Sequence, residues 1–290
     1  MSERVFLDYD QERLDALLDV RRRVPDFLAY TDDFETRSAA QRERPGAILD
    51  VRYGDHERER LDVFRPQDAG ASLPANLFFH GGYWRSAEKE RYSYPAAAFN
   101  AAGAAYVAVE YALLPGVTMD ELIRQCRAAV AHVHRHAAEL GVDADRLYVS
   151  GHSAGGQIVG MLMAEGWQAE LGLPTDAIRG GCGISGLYDL VPIRRSYLNE
   201  VLALDDATAE RNSPERLQPA SDAPLILAVG GLEGEEFLRQ NALMAAAWSG
   251  AAPVTEIVLE DHHHYTAVAA LGDPASVLFQ AAAAQMGLAG

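Results

Sequence analysis

Ser153 stands in the run Gly151-His152-Ser153-Ala154-Gly155-Gly156, directly after Arg146-Leu147-Tyr148-Val149-Ser150 and ahead of a helical stretch reaching about Trp167. A G-x-S-x-G pentapeptide between a strand and a helix presents its serine on a turn too tight for side chains two positions either side. Such a turn lifts Oγ out of the sheet and lets the N–H of Ala154, at the helix start, face a developing oxyanion. The chemistry expected is attack of a serine hydroxyl on a carbonyl carbon. A glycine-rich strand–helix turn without chemistry is the competing reading, and the flanking strand and helix weigh against it.

A nucleophilic serine needs further oxyanion donors. His80-Gly81-Gly82-Tyr83-Trp84 follows the apolar run Asn76-Leu77-Phe78-Phe79, where paired glycines let backbone N–H groups turn toward a substrate. Gly82 and Tyr83 are expected to join Ala154 as oxyanion donors. Tyr83, Trp84 and Tyr188 are candidates to line an aromatic substrate pocket, with core packing as the competing role for all three. His80 precedes the turn and reads as a structural hydrogen-bonding residue.

The acid and the base should follow the serine in that order. Residues 225–230 read as a strand, and Gly231-Leu232-Glu233-Gly234-Glu235-Glu236 comes next. Glu233 is the expected acid, and Glu235 and Glu236 read as acids in the first turn of a helix. Beyond the last strand lies Asp261-His262-His263-His264-Tyr265. His264 is favoured as base because it directly precedes the apparent helix start; His263 is second, and the run of three leaves the register open. A metal held by this trio would need ligands from elsewhere, so no metal site and no cofactor are expected. His132 and His136 are four apart on a helix but lack the adjacent glutamate of a zinc protease, and they read as solvated.

Gly181-Cys182-Gly183-Ile184-Ser185-Gly186 matches G-x-G-x-x-G. A dinucleotide fingerprint should follow a strand and open a helix, whereas these glycines lie within a strand and Pro192 follows soon after. They read as small residues that let the strand pack under the nucleophile helix.

The elements that must hold these groups alternate in the manner of an α/β protein. Residues 47–53, 60–64, 76–80, 104–111, 146–150, 181–185, 225–230 and 254–259 read as strands. The first two flank a short polar turn and should pair antiparallel. Helix-length segments separate the later ones, which implies right-handed crossovers and parallel pairing. The expectation is a mostly parallel eight-stranded sheet with an antiparallel first pair and helices on both faces. Residues 119–140 form the clearest helix, with Thr118 and Glu121 as a capping box, an apolar stripe from Met119 to Leu140, and Gly141 as the stop. Residues 10–23 carry Leu14, Leu17, Leu18 and Arg21 at helical spacing, ended by Pro25. The organisation expected is one domain, with residues 1–45 as a helical arm or lid and 46–290 as the catalytic body.

Composition narrows the partners. The 290-residue chain carries a formal charge of −17, a field that repels phosphate backbones and anionic lipid. Nucleic acid and membrane are therefore not expected partners; a small-molecule substrate is, and a homodimer stays open. No apolar run approaches the ~20 residues of a spanning helix. Met1-Ser2-Glu3-Arg4 leads into an acidic amphipathic stretch rather than a basic head and an apolar run. Cys126 and Cys182 are too few for a disulfide framework, so a cytoplasmic location is expected.

Taken together, Ser153, Glu233 and His264 in that order resemble the α/β-hydrolase fold. His80-Gly81-Gly82-Tyr83-Trp84, the Ser153 motif, Ile184-Ser185-Gly186-Leu187-Tyr188-Asp189-Leu190 and Glu236-Phe237-Leu238-Arg239-Gln240 resemble its kynurenine formamidase (arylformamidase) branch and bacterial esterase-like relatives. The likeness runs from the arm at residues 10–25 to the His264 loop. Two positions depart from that branch: it usually has aspartate where Glu233 stands, and His-Phe where this chain has His264-Tyr265. The resemblance implies a serine hydrolase cleaving N-formylkynurenine or a related aryl formamide. A carboxylesterase of small acyl esters is the alternative, and a catalytically dead binding module the third reading. The carboxylate of an amino-acid substrate needs a cationic partner, and near the motifs only Arg85 offers one.

Overall fold

The computed structural model describes residues 3–67, 70 and 72–288. Met1 and Ser2, part of the stretch read for an export signal, lie outside them. Eight strands, β1 (Ile48–Arg52), β2 (Arg60–Phe64), β3 (Leu73–Phe79), β4 (Ala105–Val109), β5 (Val142–His152), β6 (Ile178–Ile184), β7 (Leu225–Gly230) and β8 (Val254–Leu259), form one sheet in the order β1-β2-β4-β3-β5-β6-β7-β8. The short turn after β1 permits only antiparallel pairing, and β2 is antiparallel to β4 as well; every later pair is parallel.

The register places the carboxyl ends of the central strands level. Phe79 pairs with Gly151, His152 with Ile184, Ile184 with Ala228 and Gly230 with Leu259. The loops leaving β3, β5, β6, β7 and β8 therefore gather at one rim, where open α/β sheets bind ligands.

The helices in chain order are α1 (Gln11–Leu18), α2 (Val20–Arg23), α3 (Phe27–Arg42), α4 (Ala96–Ala101), α5 (Met119–Arg135), α6 (Ala137–Leu140), α7 (Ala154–Met163), α8 (Val191–Arg195), α9 (Asn199–Leu202), α10 (Asp206–Arg211), α11 (Glu235–Trp248), α12 (His264–Ala269) and α13 (Val277–Gln285). Leu77 and Phe79 of β3 face a core with α1, α5, α7 and α11, whereas Phe78 between them faces a second core with α3, α4, α12 and α13. That period-two alternation produces helices on both faces of the sheet. Each large apolar side chain so buried contributes roughly 1.5–3 kcal/mol.

Three local expectations need correction. The arm is not one helix over residues 10–23: it breaks at Asp19 (ψ 81°), whose carboxylate accepts from Arg22 N and so starts α2. The 16-residue α3 was not expected from the pattern, because it buries only Phe34 and Ser38 and shows no continuous apolar stripe. Ser38 fastens it, its hydroxyl accepting from the N–H groups of Ser93 and Tyr94. The helix expected over 119–140 is interrupted at His136, and its capping box is half formed. Thr118 Oγ1 accepts from Glu121 N, while the Glu121 carboxylate turns to Arg124 and Gln125. Its apolar stripe is buried as read, and Gly141 ends α6 at φ +70°.

Among the described residues no single helix is long and apolar enough to cross a membrane. Among the described residues one pair, 264–272 with 277–285, is long and apolar enough together, and it is bent by 50°.

Candidate active site

β5 carries its chain straight into the turn that holds Ser153. Ser153 sits at φ 57°, ψ −116°, a conformation costing about 1–3 kcal/mol that the surroundings must enforce. They do so through Ser153 N donating to Ile184 O at 2.8 Å and Gly156 N to Ser153 O at 2.9 Å. A Cβ on Gly151 would strike the carbonyl of Gly155, and one on Gly155 the carbonyl of Phe79. Both glycines are thus required by close backbone approach.

Glu233 and His264 meet across the β7 and β8 loops. His264 Nδ1 lies 2.6 Å from Glu233 Oε2, and the two side chains are nearly fully buried. The other carboxylate oxygen accepts from Ser185 Oγ at 2.5 Å and from Gly230 N at 2.7 Å. Ser185 follows β6 directly and holds φ 51°, fixed by its N–H donating to Ala228 O at 2.7 Å. The carboxylate is therefore oriented by three donors from three different strand ends. Glutamate stands here where the resembled branch usually has aspartate, and its longer side chain still reaches His264.

The three histidines separate by role. His263 is the N-cap of α12, its Nδ1 accepting from the N–H groups of Tyr265 and Thr266, and its ring stands edge-on to Tyr30 at 4.7 Å. His262 makes no contact with Glu233 among the described hydrogen bonds. Only His264 is paired with a carboxylate oriented at the rim. Glu235 and Glu236 lie in the first turn of α11, as expected, engaging Arg13 and Arg239.

His152 stands directly before Ser153, and no motif assigned it a role. Its Nε2 lies 3.0 Å from the carbonyl oxygen of His264 and its ring 4.3 Å from the His264 ring. A carbonyl can only accept, so Nε2 carries the proton, and Nδ1 is left buried without a partner among the described residues. Burial, reinforced by neighbouring His264, pushes the His152 pKa well below 6.5, so the ring is neutral.

The His80–Trp84 loop closes over the serine. A Cβ on Gly81 would sit 2.9 Å from the His152 carbonyl oxygen and 3.1 Å from the Cβ of Ser153, so glycine permits this close approach. Gly82, Tyr83 and Trp84 follow at φ 105°, 50° and 55°. The backbone N–H groups of Gly82, Tyr83 and Ala154 donate to no acceptor among the described residues. His80 is structural, its Nε2 3.0 Å from Glu110 Oε1 and its ring stacked on Tyr111 at 4.3 Å.

Ser153 and His264 line one cleft of about 800 Å³, together with Tyr83, Tyr197, Tyr265 and Phe27. Among the described residues neither Ser153 Oγ nor His264 Nε2 makes a hydrogen bond; such pairs commonly tighten only when substrate is bound. Phe27 and Tyr265 stack at 5.9 Å and form an aromatic wall.

Two expected pocket residues are corrected. Trp84 is fully buried, its indole N–H donating to Gln157 Oε1 at 3.0 Å, which draws the ring under the loop. Tyr188 is 1% exposed and lies against Gly183 and Gly186, where any side chain would collide with its ring. Both are core residues outside the cleft. The glycine-rich strand is packed as expected at Gly181, where a Cβ would meet Met163 and Val159 of α7. Phe27, Tyr197 and Tyr265 line the cleft in place of the two; Tyr265 stood within the histidine run, while no motif marked Phe27 or Tyr197. Ser185, by contrast, was visible inside the G-x-G-x-x-G run.

Comparison with known proteins agrees with this architecture. The BD-FAE family model matches residues 61–176. A kynurenine formamidase of Salmo salar is 34% identical over 199 residues, covering 67% of this chain and 66% of the relative. The match thus spans just under two thirds of that relative's length. The crystal structure of a putative thioesterase from Silicibacter sp. superposes with a TM-score of 0.81 at 29% identity, covering 92% of this chain and 97% of that one. A thermophilic carboxylesterase from a metagenomic library superposes at 0.68 with 19% identity, covering 92% and 98%.

Proposed function

We propose that this chain, an α/β-hydrolase in fold, is a serine hydrolase acting by acyl transfer on a small amide or ester bond, with aryl formamides such as N-formylkynurenine as the leading substrates. The observation that carries the proposal is the buried Glu233–His264 pair on the cleft that holds Ser153.

Ser153 Oγ attacks the carbonyl carbon while His264 Nε2 takes the hydroxyl proton. Glu233 holds Nδ1–H, fixing the tautomer and stabilising the imidazolium that forms. The free N–H groups of Gly82, Tyr83 and Ala154 receive the oxyanion, each such donor worth about 2.7–4 kcal/mol. The tetrahedral adduct collapses with loss of the amine or alcohol, which takes its proton from His264. Water, deprotonated by the same imidazole, cleaves the serine ester and releases the acid. The aromatic wall of Phe27 and Tyr265 and the similarity to a kynurenine formamidase support an aryl substrate.

A carboxylesterase of small acyl esters uses the same residues, and the similarity to a putative thioesterase over nearly the whole chain favours keeping it as the second reading. Side-by-side kinetics on N-formylkynurenine and p-nitrophenyl acetate separate the two. Turnover of the formamide supports the amidase; turnover of the ester alone overturns it in favour of the esterase. A cytoplasmic location belongs to the same proposal, supported by two free cysteines, both buried with thiol pKa values pushed up by burial.

A further inference from the structure

Tyr83 combines three features that donation from its N–H does not explain. It holds φ 50°, a left-handed conformation that a bulky residue adopts only where its surroundings enforce it. It is buried although it borders the cleft. Its hydroxyl donates to the carbonyl of Leu18 at 2.6 Å, and among the described residues that is its only hydrogen bond. The residues on either side are held by other means. His80 Nδ1 lies 2.8 Å from Gly81 O, and Trp84 is fixed at its indole by Gln157 and at its carbonyl by Leu114 N at 2.8 Å. Tyr83, between them, is secured through a side chain that reaches a distant segment.

Leu18 ends α1, and its carbonyl is one of those a helix leaves without an internal partner at its carboxyl end. Asp19 and Val20, next along the chain, line the cleft. α1 is itself firmly seated. Leu14, Leu17 and Leu18 are buried, Asp15 Oδ1 accepts from Tyr197 N at 2.9 Å, and Arg13 donates to Glu235 at 2.7 Å. The helix therefore engages segments that follow β3, β6 and β7, the strands whose loops carry Tyr83, Ser185 and Glu233.

We infer that Tyr83 is a positioning residue for the oxyanion donors: its hydroxyl, fastened to the carboxyl end of α1, sets the direction of its own N–H, which makes the N-terminal arm a working part of the active site. The inference rests on the proposed acyl transfer at Ser153. With the ring anchored, rotation about the N–Cα bond of Tyr83 is restricted, and the N–H keeps its aim. Released, the N–H can swing away, and a hydrogen bond weakens steeply once its angle closes toward 120°.

The test compares the full wild-type chain with Tyr83→Phe, which keeps the ring and the backbone N–H and removes only the anchor. Two ligands report on the site. Ser153 Oγ adds to the carbonyl carbon of 2,2,2-trifluoroacetophenone, its proton passing to His264 and the carbonyl oxygen becoming an oxyanion; acetophenone binds without that adduct. Tyr83→Phe should raise the inhibition constant of the trifluoroketone at least tenfold and lower kcat on N-formylkynurenine or p-nitrophenyl acetate by a similar factor. KM and the acetophenone affinity should stay within twofold. Hydrogen exchange over residues 80–86 should quicken at least fivefold, and over residues 11–18 with it, while α7 is unchanged. Leu14→Ala, which loosens the arm from within, should also lower kcat, and the double variant should lose less than the product of the two. Unchanged exchange, full kcat in either variant, equal losses for both ketones, or a fully multiplicative double variant overturns the inference. A wild-type chain that turns over neither substrate and forms no ketone adduct counts against acyl transfer, and exchange in Tyr83→Phe then decides the anchor by itself.

Discussion

Glu233 Oε2 stands 2.6 Å from His264 Nδ1, in a contact sealed from solvent and braced behind by Ser185 and the backbone of Gly230. The bracing matters because a carboxylate that could rotate would fix neither the tautomer nor the plane of the imidazole.

Glu233→Gln keeps the shape of the side chain but removes the charge and can present an amide N–H to Nδ1. It should lower kcat by roughly 10²–10⁴-fold with little change in KM. Glu233→Asp retracts the carboxylate by one methylene and should lose at least tenfold. Steady-state kinetics on whichever substrate the wild type accepts measure both. Unchanged kcat in Glu233→Gln would remove Glu233 from the reaction.

Ser185→Ala removes one of the two donors to Glu233 Oε1 and leaves Gly230 N as the other. The expected outcome is a drop in kcat of about tenfold, with KM held, and a stability loss of about 1–3 kcal/mol. Urea unfolding and kinetics on the same preparation give the two numbers. A stability loss with full kcat would make Ser185 a packing residue only.

His152 supplies a pH dependence whose sign is fixed. Its folded pKa lies well below its unfolded value of 6.5, so between the two the unfolded chain binds the extra proton. Its contribution is complete above pH 6.5 and is lost as pH falls toward the folded pKa, with a slope approaching about 1.4 kcal/mol per pH unit. His132 and His263, also lowered chiefly by burial, act in the same direction. Stability by urea titration should fall from pH 7 to pH 5.5, and His152→Gln should flatten that fall. An equal slope in the variant would contradict the buried neutral ring.

Lys89, the sole lysine of the chain, is 2% exposed. Its Nζ meets Asp50 at 2.9 Å, Asp62 at 3.0 Å and Glu90 at 2.7 Å. Lys89→Met leaves the buried Asp62 with Arg42 as its cationic partner and should destabilise the chain by about 3–5 kcal/mol. The double variant Lys89→Met/Asp62→Asn should recover part of the loss. Urea denaturation of the two variants provides the check.

The sheet was legible in the sequence because its strands are short apolar or β-branched runs flanked by breaks, and the fully buried β7 and the more exposed β8 both match to the residue. Ser153 and its glycines were legible for a steric reason, since backbone collision leaves no other residue types at positions 151 and 155. The order of Ser153, Glu233 and His264 pointed to two side chains that the structure brings into contact, and His263 is set apart from His264 by its capping role. What the sequence hid were contacts between distant segments. Nothing local to Trp84 announces Gln157, nothing in the polar α3 announces its docking through Ser38, and nothing in the arm shows that Arg22 and Phe27 border the cleft of Ser153. Such pairings depend on how the crossovers close, which periodicity does not encode.

The most direct test is covalent labelling of the full chain with a fluorophosphonate, followed by intact mass and peptide mapping. The account predicts a single adduct on Ser153, absent in Ser153→Ala and formed at least a hundredfold more slowly in His264→Ala. An unlabelled Ser153, or labelling that proceeds at the same rate without the imidazole of His264, would contradict it.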